Sequence, residues 1–104
     1  MKKHRLVFSD AAIADILEQA EWYSTQSGKP LAARWETAVT SSIMRIVDWP
    51  KTGTLCHFQS SELRQLRRIA IPGFPKHLLF YKFDSDEVFV LRVIHGARGL
   101  EELL

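Results

Sequence analysis

The spacing of apolar residues changes once along this chain of 104 residues, at Pro50. Before Pro50, apolar side chains mostly recur every three or four residues, which is the period of an amphipathic helix. After Pro50, they alternate or run continuously over short segments, as they do in β-strands. Helices in the first half and strands in the second predict an α+β fold, with a helical layer on one face of a sheet.

The first half predicts one short strand, Arg5–Phe8, followed by two helices. Ser9 or Asp10 is a suitable N-cap for the first helix, because a short polar side chain can accept from the free N–H groups there. Gly28 suits the end of that helix, and Pro30 suits the first turn of the next. A break this short between two helices predicts an antiparallel helical hairpin.

Each predicted helix has a stripe of residues that we expect to be buried against the sheet. In the first helix these are Ile13, Ile16, Leu17, Ala20 and Tyr23, and in the second Leu31, Trp35, Ala38, Val39, Ser42, Ile43, Ile46 and Val47. The second helix should end near Trp49, because the residue before a proline is disfavoured in the helical conformation. We expect all three tryptophans, Trp22, Trp35 and Trp49, to contribute to the core.

The second half predicts three strands joined by tight turns, and such strands pair antiparallel. A loop from Lys51 to Ser61 precedes them, and a short helical turn follows them; the predicted segments are Leu63–Ile71, His77–Phe83, Glu87–Ile94 and the final turn Leu100–Leu104. The element order is therefore β-α-α-β-β-β, with the helical hairpin packed on a small antiparallel sheet. We expect residues 1–104 to form a single domain, since domains commonly have about this length.

Charge is unevenly divided between the two halves, although the whole chain carries only +2. Seven cationic side chains fall between residues 64 and 98, against three carboxylates: Arg64, Arg67, Arg68, Lys76, Lys82, Arg92 and Arg98 against Asp84, Asp86 and Glu87. If the sheet face opposite the helices is open to water, several of these cations should converge there and attract phosphate or an acidic partner. The alternative is that they only keep an exposed face soluble.

Most catalytic and cofactor-binding motifs are missing from this sequence. It has no Gly-rich phosphate loop and no His-Glu-x-x-His motif, and its four histidines lack metal-ligand spacing, so we expect no cofactor and no metal. The single cysteine, Cys56, excludes an internal disulfide and fits a reducing compartment. No apolar segment is long enough for a signal peptide or a membrane span, so we expect a cytoplasmic protein without membrane contact.

Several segments together resemble the ParE-type toxins of the RelE/ParE superfamily, also described as plasmid stabilisation proteins. The ending, Val93 to Leu104, resembles their C-terminal signature most specifically, although Gly99 stands where the family commonly has an acidic residue. Further similarities run through the rest of the chain, at Val7–Ala12, Pro30–Trp35 followed by Trp49-Pro50, Leu66–Ile69 and Leu79–Lys82.

This resemblance implies the toxin of a type II toxin–antitoxin operon. ParE toxins are known to poison DNA gyrase and so block replication, whereas RelE toxins cleave messenger RNA on the ribosome. Either type would be neutralised by a small cognate antitoxin, here ParD-like, and would reach promoter DNA only through that antitoxin. By family position, the expected target-binding residues are Arg67, Arg68, Lys82, Arg92, His95 and Arg98.

The two activities make different demands on the residues. Metal-independent RNA cleavage needs a base, an acid and cations around the phosphate, for which the candidates are His95, Arg67, Arg68, Arg92 and Tyr81. One histidine supplies only half of an acid–base pair, so the sequence favours gyrase inhibition, which is a binding function. Trp22 and Tyr23 are candidates for a groove that receives an antitoxin helix.

Overall fold

The structure is a computed structural model that describes residues 4–96 and 100–104, so the candidate Arg98 lies outside the described residues. Its strands are β1 (Arg5–Phe8), β2 (Thr54–Leu55), β3 (Arg67–Ile71), β4 (Phe74–Phe83) and β5 (Glu87–His95). Its helices are α1 (Asp10–Ser27), α2 (Lys29–Asp48) and the single turn α3 (Leu100–Leu103), with two 3-10 turns at Pro50–Thr52 and Ser61–Leu63. The predicted α+β class and the order β-α-α-β-β-β are confirmed, and the structure adds the two-residue strand β2 within the segment predicted as a loop.

One sheet contains all five strands, in the order β1-β5-β4-β3-β2. The pairs β2–β3, β3–β4 and β4–β5 are antiparallel, as tight connections require, but β1 pairs parallel with β5. The sheet is therefore mixed rather than antiparallel. The tight-turn argument does not apply to β1, because the helical hairpin rather than a turn follows it along the chain.

Local signals set the helix boundaries as the sequence predicts. Ser9 is the N-cap of α1, and its Oγ accepts a hydrogen bond of 2.9 Å from the backbone N–H of Ala12. Gly28 separates α1 from α2 with a φ of +95°, a backbone conformation that residues other than glycine rarely adopt. Pro30 then lies in the first turn of α2, where its missing N–H costs nothing.

The main core lies between the helical hairpin and one sheet face. Trp35, Val39 and Ile46 of α2 are buried there, as predicted, against Leu79, Tyr81, Val88, Val90 and Val93 of the sheet. The prediction for α1 is partly wrong, because its buried stripe runs through Ala12, Ile16 and Ala20, whereas Ile13 and Leu17 are 44% and 63% exposed. Tyr23, also predicted, packs against the same core. Ala12 takes the place of Ile13 at the start of the stripe, since either residue fits the helical period.

The opposite sheet face is partly covered, which contradicts the expectation that it is open. Residues of the connection between β2 and β3 fold back onto it and bury Cys56, Leu63 and Leu66 against Phe80. Leu100 and Leu104, at the C-terminal turn, pack against the same cluster. The prediction failed because Leu63 and Leu66 fill this second core, so that β3 begins at Arg67 instead of Leu63. No helix in the described part of the chain is long and apolar enough to cross a membrane.

Candidate functional site

A cleft of about 540 Å³ lies between α1 and the ends of the two longest strands. α1 supplies one wall, and the start of β4 and the end of β5 supply the other; the lining residues are Asp15, Glu18, Gln19, Trp22, Tyr23, His77, Val93, Ile94 and His95. The cleft therefore joins both antitoxin-binding candidates, Trp22 and Tyr23, with His95, which was predicted to bind the target.

A cluster of packed rings supports the floor of this α1–β5 cleft. The Tyr23 ring lies 5.3 Å from the Phe74 ring and 5.8 Å from that of Trp35, measured between centroids. Trp35 is fully buried and donates its indole N–H to the backbone oxygen of Ile16 at 3.1 Å, which links α2 to α1. Trp22, beside Tyr23, is instead 57% exposed. The expectation that Trp22 belongs to the core is therefore wrong, and its indole is available to a partner.

His77 and His95 face each other across the β4–β5 pair, with ring centroids 5.5 Å apart. His77 also packs on Trp35, at 4.9 Å between centroids, and burial lowers the pKa of its imidazole, with a further contribution from the charge of His95. His77 is half-buried and His95 is exposed. His77 was not among the candidates predicted from the sequence, because its position opposite His95 depends on the strand register.

Arg92 is held by Asp15, one of the residues that line the cleft. The Asp15 carboxylate accepts from Arg92 Nε at 2.7 Å and from Arg92 Nη2 at 2.8 Å, and it also accepts from the Val93 backbone N–H at 3.0 Å. This hydrogen bonding raises the pKa of the Arg92 guanidinium. Arg92 Nη1 donates in addition to the backbone oxygen of Leu103 at 2.7 Å. Arg92 thus connects α1, β5 and α3, and its charge is already paired.

The other cationic candidates point in different directions. Arg67 lies opposite Tyr81 on the helix-facing side of the sheet, where its Nη1 donates to the backbone oxygen of Gly53 at 2.7 Å. Its neighbour Arg68 lies opposite Phe80, on the other side of the sheet. Lys82 donates through Nζ to the backbone oxygen of Glu62. Arg67, Arg68 and Lys82 therefore do not line the α1–β5 cleft, and the charge of Arg92 is already paired with Asp15.

Tyr81 is fully buried and its hydroxyl has two partners. It donates to the backbone oxygen of Pro50 at 2.7 Å and accepts from the Gly53 N–H at 2.8 Å. Burial raises the pKa of this phenol, which keeps it neutral at physiological pH. Tyr81 lies on the helix-facing side of the sheet, on the same strand as His77. Its two hydrogen bonds make it a positioning residue for the Pro50–Gly53 segment.

The charges around the cleft favour a cationic partner over a phosphate. α1 carries four carboxylates, Asp10, Asp15, Glu18 and Glu21, and no lysine or arginine between Asp10 and Ser27. Asp15 is neutralised by Arg92, but Glu18 lines the cleft without an ion pair among the described residues. No group of three or more histidine, cysteine or carboxylate side chains in residues 4–96 and 100–104 is arranged to hold a metal ion.

Comparison with known proteins identifies the class to which this fold belongs. A family model described as the ParE toxin of the type II toxin–antitoxin system parDE matches residues 6–100. A solved structure described as the chromosomal ParDE toxin–antitoxin system from P. aeruginosa superimposes with a TM-score of 0.73 at 13% sequence identity, over 91% of this chain and 98% of that one. Comparison with curated proteins gives no significant match.

The family match covers most of the chain, so the protein is a type II toxin of a toxin–antitoxin pair. It belongs to the ParE toxin family, as the sequence resemblance implies.

Proposed function

We propose that this toxin acts by binding DNA gyrase and blocking replication in the cytoplasm, and that a small cognate ParD-like antitoxin neutralises it. In this account the toxin contacts promoter DNA only through the antitoxin. The observation that carries the proposal is that no cationic candidate among the described residues lines the cleft beside the two histidines. Arg67, Arg68 and Lys82 lie outside the α1–β5 cleft, and Arg92 is paired with Asp15. A function based on binding needs no assembled acid, base and phosphate site.

RNA cleavage is the second candidate, and one observation favours it. His77 beside His95 supplies the second imidazole that an acid–base pair requires. However, the carboxylates of α1 border these two rings, and they oppose the approach of a phosphate backbone. If the purified chain cleaved messenger RNA on ribosomes, and His95→Ala abolished that cleavage, the binding account would be wrong.

We propose the α1–β5 cleft as the binding site for the antitoxin. Trp22 is exposed at its mouth, and Trp side chains are frequent anchors in protein interfaces. Glu18 and Glu21 flank Trp22 on an α1 that carries no basic residue. An antitoxin segment that places apolar side chains on Trp22 and Tyr23, and lysine or arginine beside these carboxylates, would match both the shape and the charge of the cleft.

The gyrase proposal is tested with purified toxin, gyrase, ATP and relaxed plasmid. We expect micromolar toxin to reduce supercoiling and to trap gyrase-linked DNA breaks, and we expect prior addition of the antitoxin to prevent both effects. Unchanged supercoiling at micromolar toxin would rule out gyrase as the target.

A further inference from the structure

A second cleft lies at the opposite end of the β4 strand, away from the α1–β5 cleft. It has a volume of about 550 Å³ and is lined by His4, Trp49, Pro50, Lys51, Thr52 and Phe83. His77 lines the first cleft and Phe83 lines this one, six residues further along β4. At roughly 3.4 Å for each strand residue, the two clefts are about 20 Å apart. We call this second site the Trp49 cleft.

The wall of the Trp49 cleft is fixed to the sheet by side chains that the first site does not use. The Tyr81 hydroxyl bonds the Pro50 oxygen and the Gly53 N–H, and Arg67 Nη1 bonds the backbone oxygens of Gly53, at 2.7 Å, and Lys51, at 3.3 Å. Gly53 packs so closely on Tyr81 that a Cβ there would lie 2.5 Å from the hydroxyl. The cleft is therefore held in shape before any partner arrives.

The interior of this cleft is aromatic and open to solvent. Trp49 is 63% exposed, against the expectation that it belongs to the core, because α2 ends there and the chain turns away. The Arg67 guanidinium lies 5.8 Å from the centre of the Phe83 ring, and the His4 ring meets Phe83 edge-on at 6.4 Å. His4 Nδ1 is shielded from water without a hydrogen-bond partner among the described residues. Tryptophan and arginine are both enriched at the hot spots of protein interfaces.

Charge is distributed asymmetrically around the Trp49 cleft. Lys51 lines it, Arg67 lies against Phe83, and Arg45 is in the last turn of α2; none of them forms an ion pair within the described residues. Asp48, which precedes Trp49 in the sequence, lines a different pocket. On the far side, Asp84 accepts from the backbone N–H groups of Asp86 and Glu87, at 2.8 and 2.9 Å. The unpaired positive charge thus lies on the side of Lys51.

We propose that the Trp49 cleft binds the toxin's protein target, through an aromatic side chain of the target that is followed by carboxylates. The aromatic side chain packs between Trp49 and Phe83, and the carboxylates lie against Lys51 and Arg45. A nucleic acid strand fits less well, because its backbone carries phosphates on both sides of an inserted base and one of them would approach Asp84. This inference rests on the proposed function, in which the toxin acts by binding a protein.

The role of the cleft is tested by separating toxicity from antitoxin binding. Trp49→Ala and Lys51→Glu should each reduce growth arrest at least about 10-fold, as expected for loss of an interface anchor, while antitoxin affinity and Tm stay unchanged. Trp22→Ala should weaken antitoxin binding and leave growth arrest unchanged. Met44→Ala is the matched control, since Met44 is 61% exposed on the same helix but lies outside the cleft. A Trp49→Ala toxin as potent as Met44→Ala would overturn the proposal, as would an equal loss of antitoxin binding.

The chemistry of the occupant is tested without reference to gyrase or toxicity. The indole N–H signals of the wild-type protein are followed by NMR during titration with N-acetyl-Phe-Glu-Glu amide, with the Phe-Lys-Lys peptide and with uridine monophosphate. We expect the acidic peptide to shift the Trp49 signal but not that of Trp22, and the basic peptide to shift it less. No shift with the acidic peptide, or a larger one with the nucleotide, would overturn the proposal. If the titration were positive but the gyrase assay negative, gyrase would be rejected as the target, and the Trp49 cleft would remain a site for an acidic protein partner.

Discussion

Replacing Asp15 by alanine is expected to lower the free energy of unfolding by about 3 kcal/mol, the cost of removing one partner of a buried ion pair. The Asp15 side chain is 12% exposed and that of Arg92 23%, so water cannot fully replace the lost carboxylate. The substitution leaves the Val93 N–H and two N–H groups of the Arg92 guanidinium, at Nε and Nη2, without their acceptor. The Tm should fall by more than about 10 °C for a domain of this size, as measured by circular dichroism.

Glu18→Ala is the control for Asp15→Ala, because Glu18 is exposed on the same helix and forms no ion pair within the described residues. Its cost should stay within about 0.5 kcal/mol, as for most surface substitutions. Asp15→Asn should fall between the two, since an amide oxygen can accept from Arg92 but carries no charge. If Asp15→Ala cost no more than Glu18→Ala, Arg92 would not be held by Asp15, and it would again be a candidate for target binding.

Gly53→Ala is expected to destabilise the protein by about 3 kcal/mol, as overpacking of a filled site does. The new Cβ would lie 2.5 Å from the Tyr81 hydroxyl and 3.0 Å from the backbone oxygen of Arg68, and neither can move freely. Tyr81 would have to leave its bonds to Pro50 and Gly53, which would also loosen the Trp49 cleft. Urea unfolding measures the loss of stability, and growth arrest by the variant should weaken in parallel.

Gly73→Ala separates this steric effect from backbone strain. Gly73 has a φ of +83°, which disfavours alanine, but a Cβ there would meet no atom within 4 Å. Its cost should be only about 1 kcal/mol, the usual penalty for a left-handed backbone conformation. Toxicity should be unaffected, because Gly73 lies in the turn between β3 and β4, remote from Trp49. Equal destabilisation by Gly53→Ala and Gly73→Ala would contradict the close packing of Gly53 on Tyr81.

The local signals in the sequence predicted the helices well. Ser9, Gly28 and Pro30 act through bonds and dihedral angles within a few residues, so their effect does not depend on the rest of the fold. The exposure of Trp22 and Trp49 was not predictable in this way. Trp22 lies at the border of the α1 stripe, and Trp49 lies where α2 ends, so long-range packing decides whether each is covered.

The candidate site was harder to predict because it depends on strand register. Tyr81 pairs with Val90 and Phe80 pairs with Arg92, which leaves Leu91 as an extra residue in a β-bulge. The sequence placed Arg92 among converging cations, but its partner in the structure is Asp15 of α1, 77 positions away along the chain. Register also sets His77 opposite His95, although 18 positions separate them in the sequence. A single sequence specifies neither the position of the bulge nor which residues of the two strands are paired.

The most direct test of the toxin assignment is growth after induction of this chain in a bacterial host. We expect expression alone to arrest growth and to lower viable counts, and co-expression of a cognate ParD-like antitoxin to restore both. Trp22→Ala should remain toxic and resist this rescue, because the proposed antitoxin contact is weakened. Harmless expression of the folded wild-type chain, or toxicity that the antitoxin never relieves, would contradict the account.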